Sequence, residues 1–181
     1  LKLKLLLMTS TPESNTKPLK GIRGEALTFV ADPFLDKGKK CHRYWKDALI
    51  VMQDGHIVDV GDYAEVAPRH PGLTDIDTYT DALIMPGFID CHVHYVQVSM
   101  IGSFGDTLLD WLDTYTFPTE AQFADKDFAD ENARVFFRQI LSQGTTTANV
   151  CATTFETSVD AFCEESERYD ARMISGKVLQ D

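Results

Sequence analysis

Two histidines, His92 and His94, stand two residues apart in the run Pro86-Gly-Phe-Ile-Asp-Cys-His-Val-His94. If the run is a strand, side chains alternate between its faces, so both imidazoles point the same way. Two neutral imidazoles converging in this manner can supply nitrogen ligands to one metal, at about 2.0–2.1 Å if the metal is zinc. Strict alternation puts Asp90 on the same face, where it is expected to support the site by orienting an imidazole. Cys91 and Val93 are then expected on the opposite face, as packing against helices. An isolated His-x-His pair is weak, because it arises readily by chance. Here an apolar run leads into it, a Pro-Gly turn precedes it, and alternating helix and strand patterns follow it. That setting favours a metal site.

The elements that must position the pair can be read outward from it. Ala82-Leu-Ile-Met-Pro-Gly-Phe-Ile-Asp90 is nearly continuous apolar sequence with a turn inside, as expected of a chain entering a strand covered on both faces. After it, Thr107–Asp113 predicts a short apolar helix stopped before Pro118. Asp127 is expected to cap a longer helix that buries Phe128, Val135, Phe136, Ile140 and Leu141 and leaves through Gly144. Thr145–Val150 is β-branched and predicts a strand. Val159, Phe162, Cys163 and Tyr169 mark another amphipathic helix, and Arg172–Leu179 a third strand. Strands alternating with helices predict a parallel sheet with crossover helices.

Upstream, Ala48–Gln53, Asp54-Gly55 and His56–Val60 form a hairpin pattern, since Asp-Gly accepts the positive φ values of a two-residue turn. Gly61 is expected to close it. Ala26–Val30 predicts a short strand, residues 32–47 a basic loop, residues 9–20 a polar lead-in, and the stretch to Asp81 further turns. The expected organisation is therefore a small β-sandwich-like module over residues 1–81, with a different architecture from residue 82 onward.

The chain has 181 residues, 44% hydrophobic and 25% charged, with a formal net charge of −11. That is globular composition. The acidity excludes a protein that grips nucleic-acid phosphates or an anionic membrane surface, but suits a small neutral substrate. Leu1–Met8 has too short an apolar core for a signal peptide. No stretch approaches the roughly 18 apolar residues of a membrane span. Cys41, Cys91, Cys151 and Cys163 form no Cys-x-x-Cys pair and read as thiols of a reducing compartment, so a cytoplasmic location is expected. His42, His56 and His70 lie in loop-like or hairpin positions and are expected to be exposed rather than ligands. The acidic runs 125–130 and 164–167 read as solvated helix ends and faces. Leu109, Trp111 and Phe117 could wall a pocket, although aromatics at helical spacing more often belong to a core.

Pro86–His94 resembles the first, metal-binding strand of the amidohydrolase superfamily. Within it, His94-Tyr-Val-Gln97, Gly102-Ser-Phe-Gly105, Leu108–Leu112, Tyr115–Glu120, Gly144–Ala148 and Gly176-Lys-Val178 resemble the guanine deaminase family. The resemblance implies a (β/α)8 TIM-type barrel, of which residues 82–181 would be the first three βα units. It implies one Zn2+ per complete site, with His92 and His94 as paired ligands. It also implies a purine pocket lined by His94, Tyr95, Val96 and Gln97, Gln97 contacting the base. An amide suits that task because it offers a donor beside an acceptor. The reaction implied is hydrolytic deamination of guanine to xanthine and ammonia.

In that family the remaining histidine ligand, the catalytic glutamate and the aspartate come from later strands, so no catalytic residue is expected within this chain. It reads as an amino-terminal part that needs a missing carboxy-terminal half or a companion chain, by itself inactive and unable to hold zinc tightly. The family also implies a homodimer for the full-length protein. Two alternatives stand beside this reading. One is another superfamily aminohydrolase or chlorohydrolase acting on a heterocycle. The other is a non-catalytic barrel fragment that acts by association.

Overall fold

The computed structural model describes residues 17–36 and 40–179. The expectations for residues 1–16, and for Lys37 and Lys39 in the basic loop, lie outside the described residues. The chain divides into two compact units, one up to Pro86 and one from Gly87.

The first unit is one four-stranded sheet in the order β3-β2-β1-β4, made of β1 (Lys20–Phe29), β2 (His42–Gln53), β3 (His56–Asp62) and β4 (Ile76–Ile84). The hairpin between β2 and β3 turns at Asp54 and Gly55, whose φ angles are 51° and 78°. These are left-handed values that aspartate tolerates and glycine adopts freely. A short helix α1 (Tyr63–Val66) follows, with the Asp62 carboxylate accepting the Ala64 N–H. Leu49, Val51 and Val66 form the core here, with Leu19, Tyr63, Leu73 and Ile76 packed against it. Arg23 grips Asp47 through two 2.8 Å hydrogen bonds, and its guanidinium lies 3.5 Å from the centre of the Tyr63 ring.

Three expectations for this unit change. β1 begins at Lys20 rather than Ala26, and β2 begins at His42, inside the expected basic loop. Pairing explains the second point: His42–Trp45 run antiparallel to Ala26–Phe29. Strand geometry suits Tyr44 and Trp45, and the neighbouring basic side chains stay in water. The polar stretch to Asp81 contains α1 and most of β4, and β4 runs on through Ala82–Ile84, of which Leu83 and Ile84 pair with β1 rather than lead into the histidine strand. β4 is invisible to a periodicity argument because nearly all of its side chains are exposed. Its backbone pairs in parallel with β1, and Gly24 permits the approach, since a Cβ there would meet the Tyr79 carbonyl oxygen at 2.6 Å. Among the described residues this unit holds one sheet and not two facing ones.

The second unit is a parallel three-stranded sheet in the order β5-β6-β7, from β5 (Phe88–His94), β6 (Thr145–Cys151) and β7 (Arg172–Gly176). Between β5 and β6 lie a 3-10 turn (Tyr95–Met100), α2 (Leu108–Trp111), a π-helical turn (Leu112–Thr116), α3 (Phe117–Ala121) and the long α4 (Lys126–Ser142). Helix α5 (Glu156–Arg168) connects β6 to β7. Pro118 does not stop a helix: it sits in the first turn of α3, where a missing N–H costs nothing. The cap of α4 is Asp125, which accepts the Phe128 N–H at 2.9 Å, and not Asp127. Gly144, at φ 85°, ends the helix in a left-handed conformation that only glycine adopts freely.

The core of this unit is aromatic. Tyr95, Phe123, Phe136, Phe137 and Phe162 interlock with Ala129, Ala133, Ala148 and Val150. Each fully buried aromatic side chain contributes about 1.5–3 kcal/mol by leaving water. The helices cover one face of the sheet. β5 is its edge strand, so Phe88 and Ile89 remain 54% and 70% exposed, not buried on both faces as expected. Val93 packs on the core as expected, whereas Cys91 is exposed. The acidic stretch 164–167 is not wholly solvated, because Glu165 is buried and paired with Arg168 at 3.2 Å. Among the described residues no helix is long and apolar enough to cross a membrane.

Candidate metal centre

His92 and His94 meet at the carboxy-terminal end of β5. Their Nε2 atoms lie 3.2 Å apart, and the rings are edge to face with centroids 5.0 Å apart. Two neutral imidazoles this close share one proton between facing nitrogens, or turn both lone pairs toward a cation. At zinc–nitrogen bond lengths of about 2.0–2.1 Å, two ligands of a tetrahedral ion stand roughly 3.3–3.4 Å apart. The observed spacing fits that demand without rearrangement. His94 is half-buried, and its pKa is lowered, first by burial and then by the neighbouring His92, with Glu120 acting the other way. The neutral form is the one a metal ligand must have.

Gln97 reaches the site through local geometry. His94 is extended, and the 3-10 turn begins directly after it. Residues three apart eclipse one another in such a turn. Gln97 Nε2 accordingly sits 3.4 Å from His94 Nδ1, and 3.3 Å from Glu120 Oε1 on α3. A hollow of about 550 Å3 opens beside these groups, lined by His92, His94, Gln97, Met100 and Trp111 among others.

The other expected site residues fall elsewhere. Tyr95 and Val96 are fully buried in the aromatic core and do not line the hollow. The Tyr95 hydroxyl donates to the Ser158 carbonyl, and burial pushes its pKa upward. The turn after His94 rotates residues 95 and 96 inward toward the helices, which a reading of the pocket as one continuous segment could not anticipate. Asp90 lines the hollow, but its carboxylate accepts the backbone N–H of His92 at 3.0 Å and so holds the strand rather than an imidazole. The ladder explains this. Asp90 pairs with Ala148 and Val93 with Val150, so three residues of β5 match two of β6. Such a bulge breaks alternation between Asp90 and the histidines.

Trp111 is half-buried at the hollow, while Leu109 and Phe117 are exposed. His42 and His56 are exposed, and His70 is partly buried against Asp59 at 2.9 Å. Two residues given no role by sequence join the site. Glu120 contacts Gln97, and Cys151 lies with His92 and His94 such that their ligand atoms all fall within 4.8 Å. No sequence spacing could have revealed either, because both arrive from distant segments.

Residues 83–180 match the model of the Amidohydrolase family. The chain belongs to the amidohydrolase family. A shorter stretch, residues 50–72, matches the Imidazolonepropionase-like composite domain of bacteria. Among curated amidohydrolase relatives, the chain is 39% identical to the guanine deaminase of Escherichia coli (strain K12) over 139 residues. That alignment covers 77% of this chain and 32% of the relative. Among solved structures it is similar to the guanine deaminase from Bradyrhizobium japonicum, with a TM-score of 0.83 and 35% identity over 87% of this chain and 34% of that one. It is also similar to the C. acetobutylicum guanine deaminase with bound guanine in the active site, with a TM-score of 0.78 and 29% identity over 91% and 37%. The chain therefore spans about a third of the length of the curated relatives it matches.

Proposed function

We propose that this chain is the amino-terminal part of a zinc-dependent guanine deaminase, which hydrolyses guanine to xanthine and ammonia. The observation that carries the proposal is the pair of imidazole Nε2 atoms 3.2 Å apart, with the Gln97 amide nitrogen 3.4 Å from Nδ1 of His94. In this reading residues 82–181 are the opening βα units of a (β/α)8 barrel, whose sites lie at the carboxy-terminal ends of the strands. The β module of residues 1–81 is part of a composite β-sandwich, a reading that the composite-domain match over residues 50–72 supports. A cytoplasmic homodimer belongs to the same reading and rests on the resemblance.

His92 and His94 would hold the zinc. When bound, zinc supplies the Lewis acidity that makes water a nucleophile at neutral pH. The chain's own residues bind and orient. His94 keeps a neutral ring at the boundary between metal and substrate. Gln97 presents an amide to the donor and acceptor edge of the purine, and Glu120 limits the rotation of that amide by accepting its N–H. The hollow beside Trp111 offers an apolar wall against which a flat base can lie.

The test uses the full-length protein that carries this sequence. Metal content and hydrolysis of guanine, adenine, cytosine and a triazine are measured for wild type, His92→Ala and His94→Ala. We expect one zinc per site, guanine as the preferred substrate, and loss of both zinc and turnover in the variants. The loss of affinity should exceed the 10–100-fold typical of removing an outer supporting group. Undiminished zinc binding in both variants, or preference for another heterocycle, would overturn the proposal.

A further inference from the structure

Strands β5 and β6 slip past one another twice. Phe88 pairs with Thr145 and Ile89 with Thr147, so β6 carries one extra residue at the base of the ladder. Asp90 pairs with Ala148 and Val93 with Val150, so β5 carries one extra residue just before the metal centre. The second slip cancels the first, and His94 arrives opposite Cys151. Without it His92 and His94 would stand opposite Val150 and Ala152, whose side chains are buried in the helical core. A shift of one residue exchanges the two faces of a strand. The bulge at Cys91 and His92 therefore keeps both imidazoles off the face that the helices cover.

A bulge leaves its extra residue outside the regular ladder and re-aims the side chains beside it. Two side chains hold this one. The Asp90 carboxylate accepts the His92 N–H at 3.0 Å, and the Asn149 side-chain amide donates to the Cys91 carbonyl at 3.3 Å. Asn149 lies on β6 between Ala148 and Val150, the two residues whose partners flank the bulge. Those neighbours are buried in the helical core, so alternation puts Asn149 on the opposite face. We propose that Asn149 is a positioning residue of the metal centre: its amide fixes the bulge that aims His92 and His94 at one cation. The inference rests on the metal reading of the proposed function and assigns no further ligand. Asparagine suits the place, because its amide donates to a carbonyl without bringing a charge beside the cation.

The test uses the full-length protein that carries this sequence, as wild type, Asn149→Leu, Thr147→Val and the double variant His92→Ala/His94→Ala. Thr147 shares the strand and the face of Asn149 but stands opposite Ile89, before the bulge. Zinc affinity is measured by competition with a chromogenic chelator. Amide exchange over residues 88–95 is followed by mass spectrometry in the metal-free proteins. We expect Asn149→Leu to weaken zinc binding about three- to tenfold, the worth of one hydrogen bond, and to speed exchange over residues 88–95 by a similar factor. Exchange elsewhere should keep its wild-type rates, which a merely destabilised protein would not show. Thr147→Val should change neither quantity. Wild-type zinc affinity or wild-type exchange over residues 88–95 in Asn149→Leu overturns the positioning role and leaves the histidine site standing. Faster exchange spread over the whole protein does the same. Undiminished zinc binding in the double variant overturns the metal reading itself, and the positioning role with it. Should Asn149→Leu fail to fold, Asn149→Ala, smaller and equally without a donor, decides by the same two measurements.

Discussion

Gly87 stands so close to Thr146 that a Cβ at Gly87 would come within 2.0 Å of the threonine hydroxyl oxygen and 2.8 Å of its Cβ. The contact pins the first residues of β5 to β6, at the base of the strand that ends in the two histidines. Gly87→Ala should therefore force the strands apart and destabilise the protein by about 1–3 kcal/mol. Thr146→Gly in the same chain should recover part of that loss, and a double-mutant cycle by urea denaturation measures the coupling. Additive effects would show that the close approach carries no strain.

Tyr95 belongs to the core. Its ring packs edge to face on Phe123, 5.5 Å between centroids, and its hydroxyl reaches Ser158. Tyr95→Phe keeps the ring and removes one buried hydrogen bond, so stability should fall by about 1 kcal/mol. On the proposed reading, zinc content and KM for guanine of the full-length protein should stay at wild-type values. A large rise in KM with unchanged stability would return Tyr95 to the pocket wall.

In the proposed guanine deaminase, Glu120 acts through Gln97, whose amide it holds at 3.3 Å, as a positioning residue. Glu120→Ala frees the Gln97 amide to rotate, at a cost of about 1 kcal/mol in substrate binding, or roughly fivefold in KM for guanine. Zinc content should not change, and Glu120→Gln should retain part of the effect because its amide oxygen can still accept. A fall in kcat with KM unchanged would assign Glu120 a different role.

Asp59 anchors Arg69 through hydrogen bonds of 2.8 and 2.7 Å and His70 through one of 2.9 Å. The Arg69 guanidinium, followed by His70, holds the Asp59 carboxyl well below the usual carboxylate range. A carboxyl whose folded pKa is depressed contributes stability above its unfolded pKa of about 4. That contribution disappears as pH falls from there toward the folded value. Asp59→Asn should cost about 1 kcal/mol at neutral pH. The gap between wild type and variant should narrow at about pH 3, as measured by urea denaturation at the two pH values. A gap that widens on acidification contradicts the ion-pair account.

Local rules made some features legible in advance. The Asp54-Gly55 turn declared its hairpin because few dipeptides accept two positive φ values. The parallel order of β5, β6 and β7 was readable because each connection carries a long helix with one apolar face. β4 was unreadable because polar and apolar side chains mix on both of its largely exposed faces, its last three residues Ala82–Ile84 look like part of the apolar run that follows, and its partner, β1, lies far back in the chain. Burial of Glu165 was hidden for a related reason, since an acidic run looks solvated until another element covers one member of it.

His92 and His94 show what the amino-acid sequence by itself determined about this protein: ligand types at a spacing that puts both on one face of a strand. Gln97 is singled out only by resemblance to a family motif, and the turn after His94 that brings it to the site is seen in the structure. Tertiary structure alone decided the rest. It slipped the β5–β6 ladder by one residue at Asp90, turned Tyr95 into the core, and brought Glu120 and Cys151 to the histidines. Periodicity along a chain assigns faces only while a strand is regular. Which residues of distant strands stand opposite one another is set by register, through backbone hydrogen bonds that every residue except proline can make.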